Sequence, residues 1–318
     1  MVQNENRPGS HDHGRRRMKH GLLVFSYSNF DHFRTEHAAF GEYSINLGDY
    51  MQTIAVRDLY ESWGIDPADI IRIDRDTLPL YAGEPTSLVM NGCFYSWCFP
   101  IPDHVRPIFV GFQADESVIT ANRFYLKRHE PIGCRDSVTA ALCRQYGINS
   151  FVTGCLTMTF PERTPLPYSG KTFLSYGLYG GTFPAKIIQS MPDEILGSHL
   201  LEFISQRKTV RRFPLDQREM ETAETDAHFL LRKYRREAGL VVTPLHHAAT
   251  PCLSSGIPII LCRFTDDGRF SLLRDLIPIY FPQDFDRIDW KPLPADISAF
   301  RSQLIETAHH FMQLARTR

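Results

Sequence analysis

Short runs of β-branched and apolar residues recur along this chain, and most are followed by a stretch of helical period. Each run is long enough for one buried strand and no longer. Strand-like runs stand at 21–27 (GLLVFSY), 70–73 (IIRI), 87–92 (SLVMNG) and 106–112 (RPIFVGF). Between the first two, Met51, Ile54, Ala55, Leu59 and Trp63 repeat at i, i+3, i+4 spacing and predict a helix, with Gly48-Asp49 as its turn and cap. A helix is expected over Glu116–Arg128. A short strand then leads into a helix capped by Asp136 or Ser137 and stopped at Gly147, and SFVTG is the next strand.

The segment 161–171 (PERTPLPYSGK) has three prolines within seven residues and no apolar periodicity, so it reads as a linker. A second alternating set follows. TFLSYGL is a strand, Asp193–Gln206 favours a helix, and TVRRF is a strand. A long helix ends at Gly239, and 241–261 gives strand, His-His, helix, strand. SLLRDLI and PIYF continue the pattern, and 296–315 is an amphipathic terminal helix. Alternation of this kind builds βαβ units and mainly parallel sheets. The expected fold is α/β, with two Rossmann-like domains facing across a cleft. The boundaries are a disordered leader at 1–20, an N-terminal domain at 21–165, a C-terminal domain at 166–295 and a terminal helix at 296–318. In such sheets ligands bind beyond the carboxyl ends of the strands.

Charge and cysteine usage narrow the function classes. The formal net charge of the 318 residues is −1, so no global field recruits nucleic acid. No apolar run approaches the ~18 residues of a membrane span. The polar, basic start lacks the apolar stretch of a signal peptide. Seven cysteines, with no CxxC pair, read as reduced thiols of a cytoplasmic protein, and no spacing demands a metal. Cys155 is a candidate nucleophile by residue type, but with no histidine near it in sequence it reads first as a small buried residue.

Four loops carry chemistry. In Asn46–Gln52, Gly48 before a helix lets amides approach an anion, while Asn46 and Asp49 suit sugar hydroxyls. Asn91 ends a strand in an Asn-Gly turn. Arg135 and Asp136 stand between a strand and a helix start, a placement that suits a phosphate or carboxylate, or an internal Arg–Asp bridge. His246 and His247 follow a strand, with Arg263 and Arg269 just past the next one. One histidine is expected to face the cleft and the other to pack or cap. Phe94, Tyr95 and Trp97 can stack on a sugar ring or fill the core.

Taken in order, NLGDYMQTIA, MNGCF, PIGCRDSVTAALCRQYGINSFVTGCLTMTF and VVTPLHHAATPCLSSGIPIIL resemble the polysaccharide pyruvyltransferase family. The resemblance implies a fold like that of GT-B glycosyltransferases. It also implies transfer of pyruvyl from phosphoenolpyruvate, as co-substrate, onto two hydroxyls of a glycan or lipid-linked oligosaccharide, with release of phosphate. No cofactor is implied, and the reaction would run in the cytoplasm, with peripheral association at the inner membrane face as a further option. His247 falls on the family histidine, the expected acid/base or donor ligand, and Arg135 is its catalytic partner. Leu245 stands where the family carries arginine, which keeps open a GT-B glycosyltransferase using an activated sugar donor. Asn46, Gly48, Asp49, Asn91, Asp136, His246, Arg263 and Arg269 are the expected donor- and substrate-binding residues.

Overall fold

The computed structural model describes residues 18–29, 43–164, 170–177 and 185–317. The leader therefore lies outside the described residues up to position 17, and the middle of the linker, 165–169, does too.

In the first half, β1 (Lys19–Val24) is followed by β2 (Tyr43–Asn46), α1 (Leu47–Ser62), β3 (Ile70–Asp74), β4 (Thr86–Val89), β5 (Gly92–Cys93), β6 (Val105–Ile108) and β7 (Phe112–Gln113). Two short helices follow, α2 (Glu116–Ala121) and α3 (Arg123–Arg128), then β8 (Ile132–Cys134), α4 (Ser137–Gln145) and β9 (Ser150–Val152). All strands except β2 pair in parallel, in the orders β3-β1-β4-β6 and β5-β7-β8-β9. Backbone bonds from Met90 N to Ile108 O (2.8 Å) and from Gly92 N to Gly111 O (3.0 Å) carry the first sheet into the second through a bend at Asn91. Gly111 has a φ of +76° there, and an added Cβ would meet Asn91 Oδ1 at 2.0 Å, so this close approach requires glycine.

The second half contains β10 (Lys171–Tyr176), α5 (Ala185–Ser190), α6 (Asp193–Leu196), β11 (Leu201–Ser205), β12 (Arg207–Val210), α7 (Gln217–Glu237), β13 (Ala238–Thr243), α8 (His246–Ser254), β14 (Ile259–Cys262), α9 (Ser271–Arg274), β15 (Ile279–Tyr280) and α10 (Ser298–Thr317). Its sheet is parallel throughout, in the order β11-β10-β13-β14-β15. β12 reaches across to pair antiparallel with β2. One apolar cluster runs through both halves, from Phe25, Ile54 and Tyr60 to Phe173, Leu230 and Leu261. The terminal helix returns to the first half, where Phe311 packs edge-on to Phe151 and Arg106 Nη1 donates to Ala315 O at 3.0 Å.

The mixed α/β, largely parallel reading is observed, and several local expectations change. Lys19 and His20, assigned above to the leader, begin β1; His20 is buried and its Nδ1 lies 3.0 Å from Ser87 Oγ. The helix expected over 116–128 breaks at Asn122, whose side chain donates to Val118 O at 2.9 Å and whose ψ of 18° leaves the helix. Asp193–Gln206 is mostly not helical: α6 is a single turn and β11 is an edge strand. TVRRF keeps strand only to Val210, and β12 starts earlier, at Arg207. SLLRDLI yields only the short helix α9. The long helix ends at Glu237, and Gly239 is already in β13, where an added Cβ would stand 2.6 Å from Gly170 Cα. That glycine allows two backbones to touch; it does not end the helix.

Candidate functional site

Nearly every residue singled out from the sequence follows the carboxyl end of a parallel strand, or the start of a helix beside one. Arg135 follows β8, Asn91 follows β4, His246 follows β13 and Arg263 follows β14. Gly48 stands at the start of α1, against the His247 ring.

The start of α8 has no side-chain cap. Its N-cap is Leu245, which offers no acceptor, so His246 and His247 occupy a first turn with free amide ends and a partial positive charge. The α1 helix, by contrast, is capped by Asn46, whose Oδ1 accepts from Gly48 N at 3.0 Å; Gly48-Asp49 is therefore not the cap. Asp136 caps α4 by accepting from Thr139 N at 2.8 Å.

Pro251 is the sixth residue of α8 and has no N–H to give the carbonyl four residues back, which is that of His247. Gln206 fills the gap: its Nε2 donates to His247 O at 3.0 Å. Its amide also lies 3.4 Å from Tyr234 Oη, which is 2.5 Å from Ser175 Oγ. A buried polar chain thus fixes the backbone under the histidine.

The two imidazoles meet edge to face, 5.0 Å apart, and His246 also packs edge-on to Phe270 at 5.5 Å. Both histidines are kept neutral. Burial is the first cause, and the positive charge of Arg135 is the next. For His247, Arg269 adds to these and its pKa falls to about 3; for His246 the neighbouring His247, Arg269 and Arg263 push the same way. His247 Nε2 lies 3.9 Å from Cys155 Sγ. Their separation of 92 positions hid this contact from the sequence. Burial holds the Cys155 thiol protonated, and Thr157 Oγ1 donates to it at 3.1 Å.

Arg135 is 3% exposed. Its Nη2 donates to Gln113 Oε1 at 3.0 Å and to the half-buried Cys93 thiol at 3.2 Å, and its Nε has no partner. The internal Arg135–Asp136 bridge does not form; Asp136 Oδ2 is unpartnered too. Arg263 lies over the Phe270 ring at 4.1 Å, donates to Pro244 O at 2.9 Å, pairs with Asp267 Oδ2 at 3.3 Å, and has a free Nε. Arg269 is fixed by Asp267 through contacts of 2.5–3.0 Å. Asn91 Oδ1 accepts from Leu156 N at 3.0 Å while its Nδ2 has no partner.

Asp49 does not stand free for a sugar. It accepts from Tyr27 Oη at 2.6 Å, and burial raises its pKa against the pull of Arg75. Arg75 was not signalled by the sequence. It is buried, paired with Asp76 at 2.8 Å, donates to Cys93 O at 3.2 Å and lies over Tyr95 at 5.2 Å. Tyr95 and Trp97 stack on each other at 4.5 Å, whereas Phe94 is core against Phe112. Among the described residues no group of three or more His, Cys, Asp or Glu is placed to hold a metal ion, and no helix is long and apolar enough to cross a membrane.

No protein-family model and no curated protein matches the chain. Among solved structures it is similar to a functionally uncharacterised protein from Klebsiella pneumoniae subsp. pneumoniae NTUH-K2044, with a TM-score of 0.42 and 11% identity over 79% of this chain and 88% of that one. It is also similar to accessory secretory protein 1, 2 and 3 of Streptococcus pneumoniae, with a TM-score of 0.37 and 9% identity, covering 74% of this chain and 51% of that one. Likenesses at this level say nothing of what the chain does.

Proposed function

We propose that the protein is a ketal-forming pyruvyltransferase with a GT-B-like pairing of its two halves, acting with phosphoenolpyruvate on a glycan or lipid-linked oligosaccharide. The observation that carries the reading is the set of buried donors without partners around an uncapped helix start: Arg135 Nε, Arg263 Nε and Asn91 Nδ2 beside the first turn of α8. Arg135 is desolvated and pairs with no carboxylate, which suits a small, highly charged anion; Arg263 shares Asp267 at 3.3 Å and offers its Nε. A carboxylate and a phosphate on one three-carbon unit give such an anion two ends to be held by.

The chemistry needs one proton delivered to the enol carbon, which makes the adjacent carbon electrophilic. One sugar hydroxyl adds and loses its proton, phosphate leaves with the C–O bond electrons, and the second hydroxyl closes the ketal and loses its proton. His247, neutral in the free protein, is the group able to accept a hydroxyl proton. The arginines hold the donor and stabilise departing phosphate. Arg263 donates to the carbonyl of Pro244, just before Leu245, the position at which the resembled family carries arginine.

The test is release of inorganic phosphate from phosphoenolpyruvate with a panel of glycan acceptors, run beside nucleotide sugars. Phosphate release that needs acceptor and disappears in His247→Ala supports the reading. Turnover of a nucleotide sugar with no use of phosphoenolpyruvate would replace it with a glycosyltransferase.

A further inference from the structure

Far from the site, at the carboxyl end of α7, Arg163, Arg232, Arg235 and Arg236 line a pocket of about 300 Å³ together with Thr164. Since β13 begins at Ala238, directly after α7, this pocket sits at the amino ends of the second sheet, opposite the histidines. One turn before Arg232, Phe229 is 63% exposed, while Leu230 and Leu231 beside it are buried.

Arg232, Arg235 and Arg236 have no hydrogen bond or ion pair among the described residues. The same helix end does form ion pairs: Lys233 bonds Glu202 at 2.8 Å and Glu237 at 3.5 Å. Arg163 is engaged, its Nη1 donating to Ala238 O at the helix end, whereas the side chains of Arg232, Arg235 and Arg236 donate to none of the last carbonyls, although their charge favours the helix end. With a net charge of −1 for the whole chain, this is a local concentration of cations and not the overflow of a basic protein.

We propose that this end of α7 docks the protein on a membrane surface carrying acidic phospholipids. Guanidinium forks bind phosphate oxygens in pairs. An exposed aromatic ring on the same helix face enters the boundary between headgroups and acyl chains. The surface potential of an acidic leaflet supplies the long-range attraction. This inference uses no residue of the histidine site and stands whether or not the proposed reaction is correct.

The full chain is sedimented with phosphatidylcholine vesicles, with and without phosphatidylglycerol. Wild type should bind only the acidic vesicles and release at high salt. The triple variant Arg232→Gln, Arg235→Gln, Arg236→Gln should bind roughly a hundredfold more weakly, from about fivefold per arginine. In Phe229→Trp, the new indole emission should shift to the blue on vesicle binding. Unchanged binding of the triple variant, as would follow if the basic leader alone docked the chain, overturns the proposal. So does equal binding to neutral vesicles, or binding of inorganic pyrophosphate with none to vesicles.

Discussion

Gly48 lies directly against the imidazole of His247: a Cβ placed on it would stand 2.6 Å from His247 Cβ and 2.8 Å from Nδ1. The start of α1, in the first half, therefore sets the ring position of a histidine from the second. Gly48 has no positive φ, so what it supplies is space and not backbone freedom.

Gly48→Ala should displace His247 without unfolding the protein. Overpacking of a filled contact costs roughly 1–3 kcal/mol. Urea titration should show a loss in that range. Phosphoenolpyruvate-dependent turnover should fall further than stability does, because the ring itself moves. Turnover equal to wild type would mean that the His247 position does not matter to the reaction.

Arg135→Gln removes a buried cation that no carboxylate neutralises. Charge-assisted bonds contribute about 1.5–3 kcal/mol, so affinity for phosphoenolpyruvate by calorimetry should drop roughly ten- to a hundredfold. Arg135→Lys should recover part of it, keeping the charge and losing the fork. The same loss of charge removes the repulsion that follows burial in holding His247 neutral, so the His247 pKa should rise in Arg135→Gln, as NMR titration would record.

The strands were legible because both faces of a parallel sheet are buried, which leaves apolar runs in the sequence. β11 was not, since an edge strand with only Ile204 fully inside carries no such run. Arg135, His247 and Arg263 were legible because topology puts strand ends together, and chain order reveals strand ends. Gln206 and Cys155 were not. They reach His247 from 41 and 92 residues away, and only the fold brings them there. The proline at 251 was the one available hint of Gln206, since it deletes a helical donor and obliges another group to replace it.

Stability should fall as the pH drops. His246 and His247 both have folded pKa values below that of a free histidine, so at these two sites the unfolded chain binds more protons than the folded one, the reverse of Asp58, which burial raises to about 6. Their contribution is complete above the ordinary histidine pKa of ~6.5 and is lost as pH falls from there toward about 3 for His247. Each adds a slope of up to about 1.4 kcal/mol per pH unit. Urea denaturation at stepped pH should show this slope, and His247→Gln should lessen it. Anion binding favours the protonated ring, so phosphate should bind more tightly at lower pH with proton uptake, measurable by calorimetry in buffers of different ionisation enthalpy.

The pairing of Gln206 with Pro251 is tested by a cycle of variants. Gln206→Ala leaves the His247 carbonyl buried without a donor, at a cost of roughly 1–3 kcal/mol. Pro251→Ala restores the helical N–H, so on its own it gives that carbonyl a second possible donor and changes little. In the double variant the new N–H takes the place of the lost amide, and most of the stability should return. The effects should therefore be strongly non-additive, with a coupling on the order of 1–2 kcal/mol. Simple addition of the two single effects in urea denaturation would mean that Gln206 acts through Tyr234 instead, and that the carbonyl of His247 does not need it.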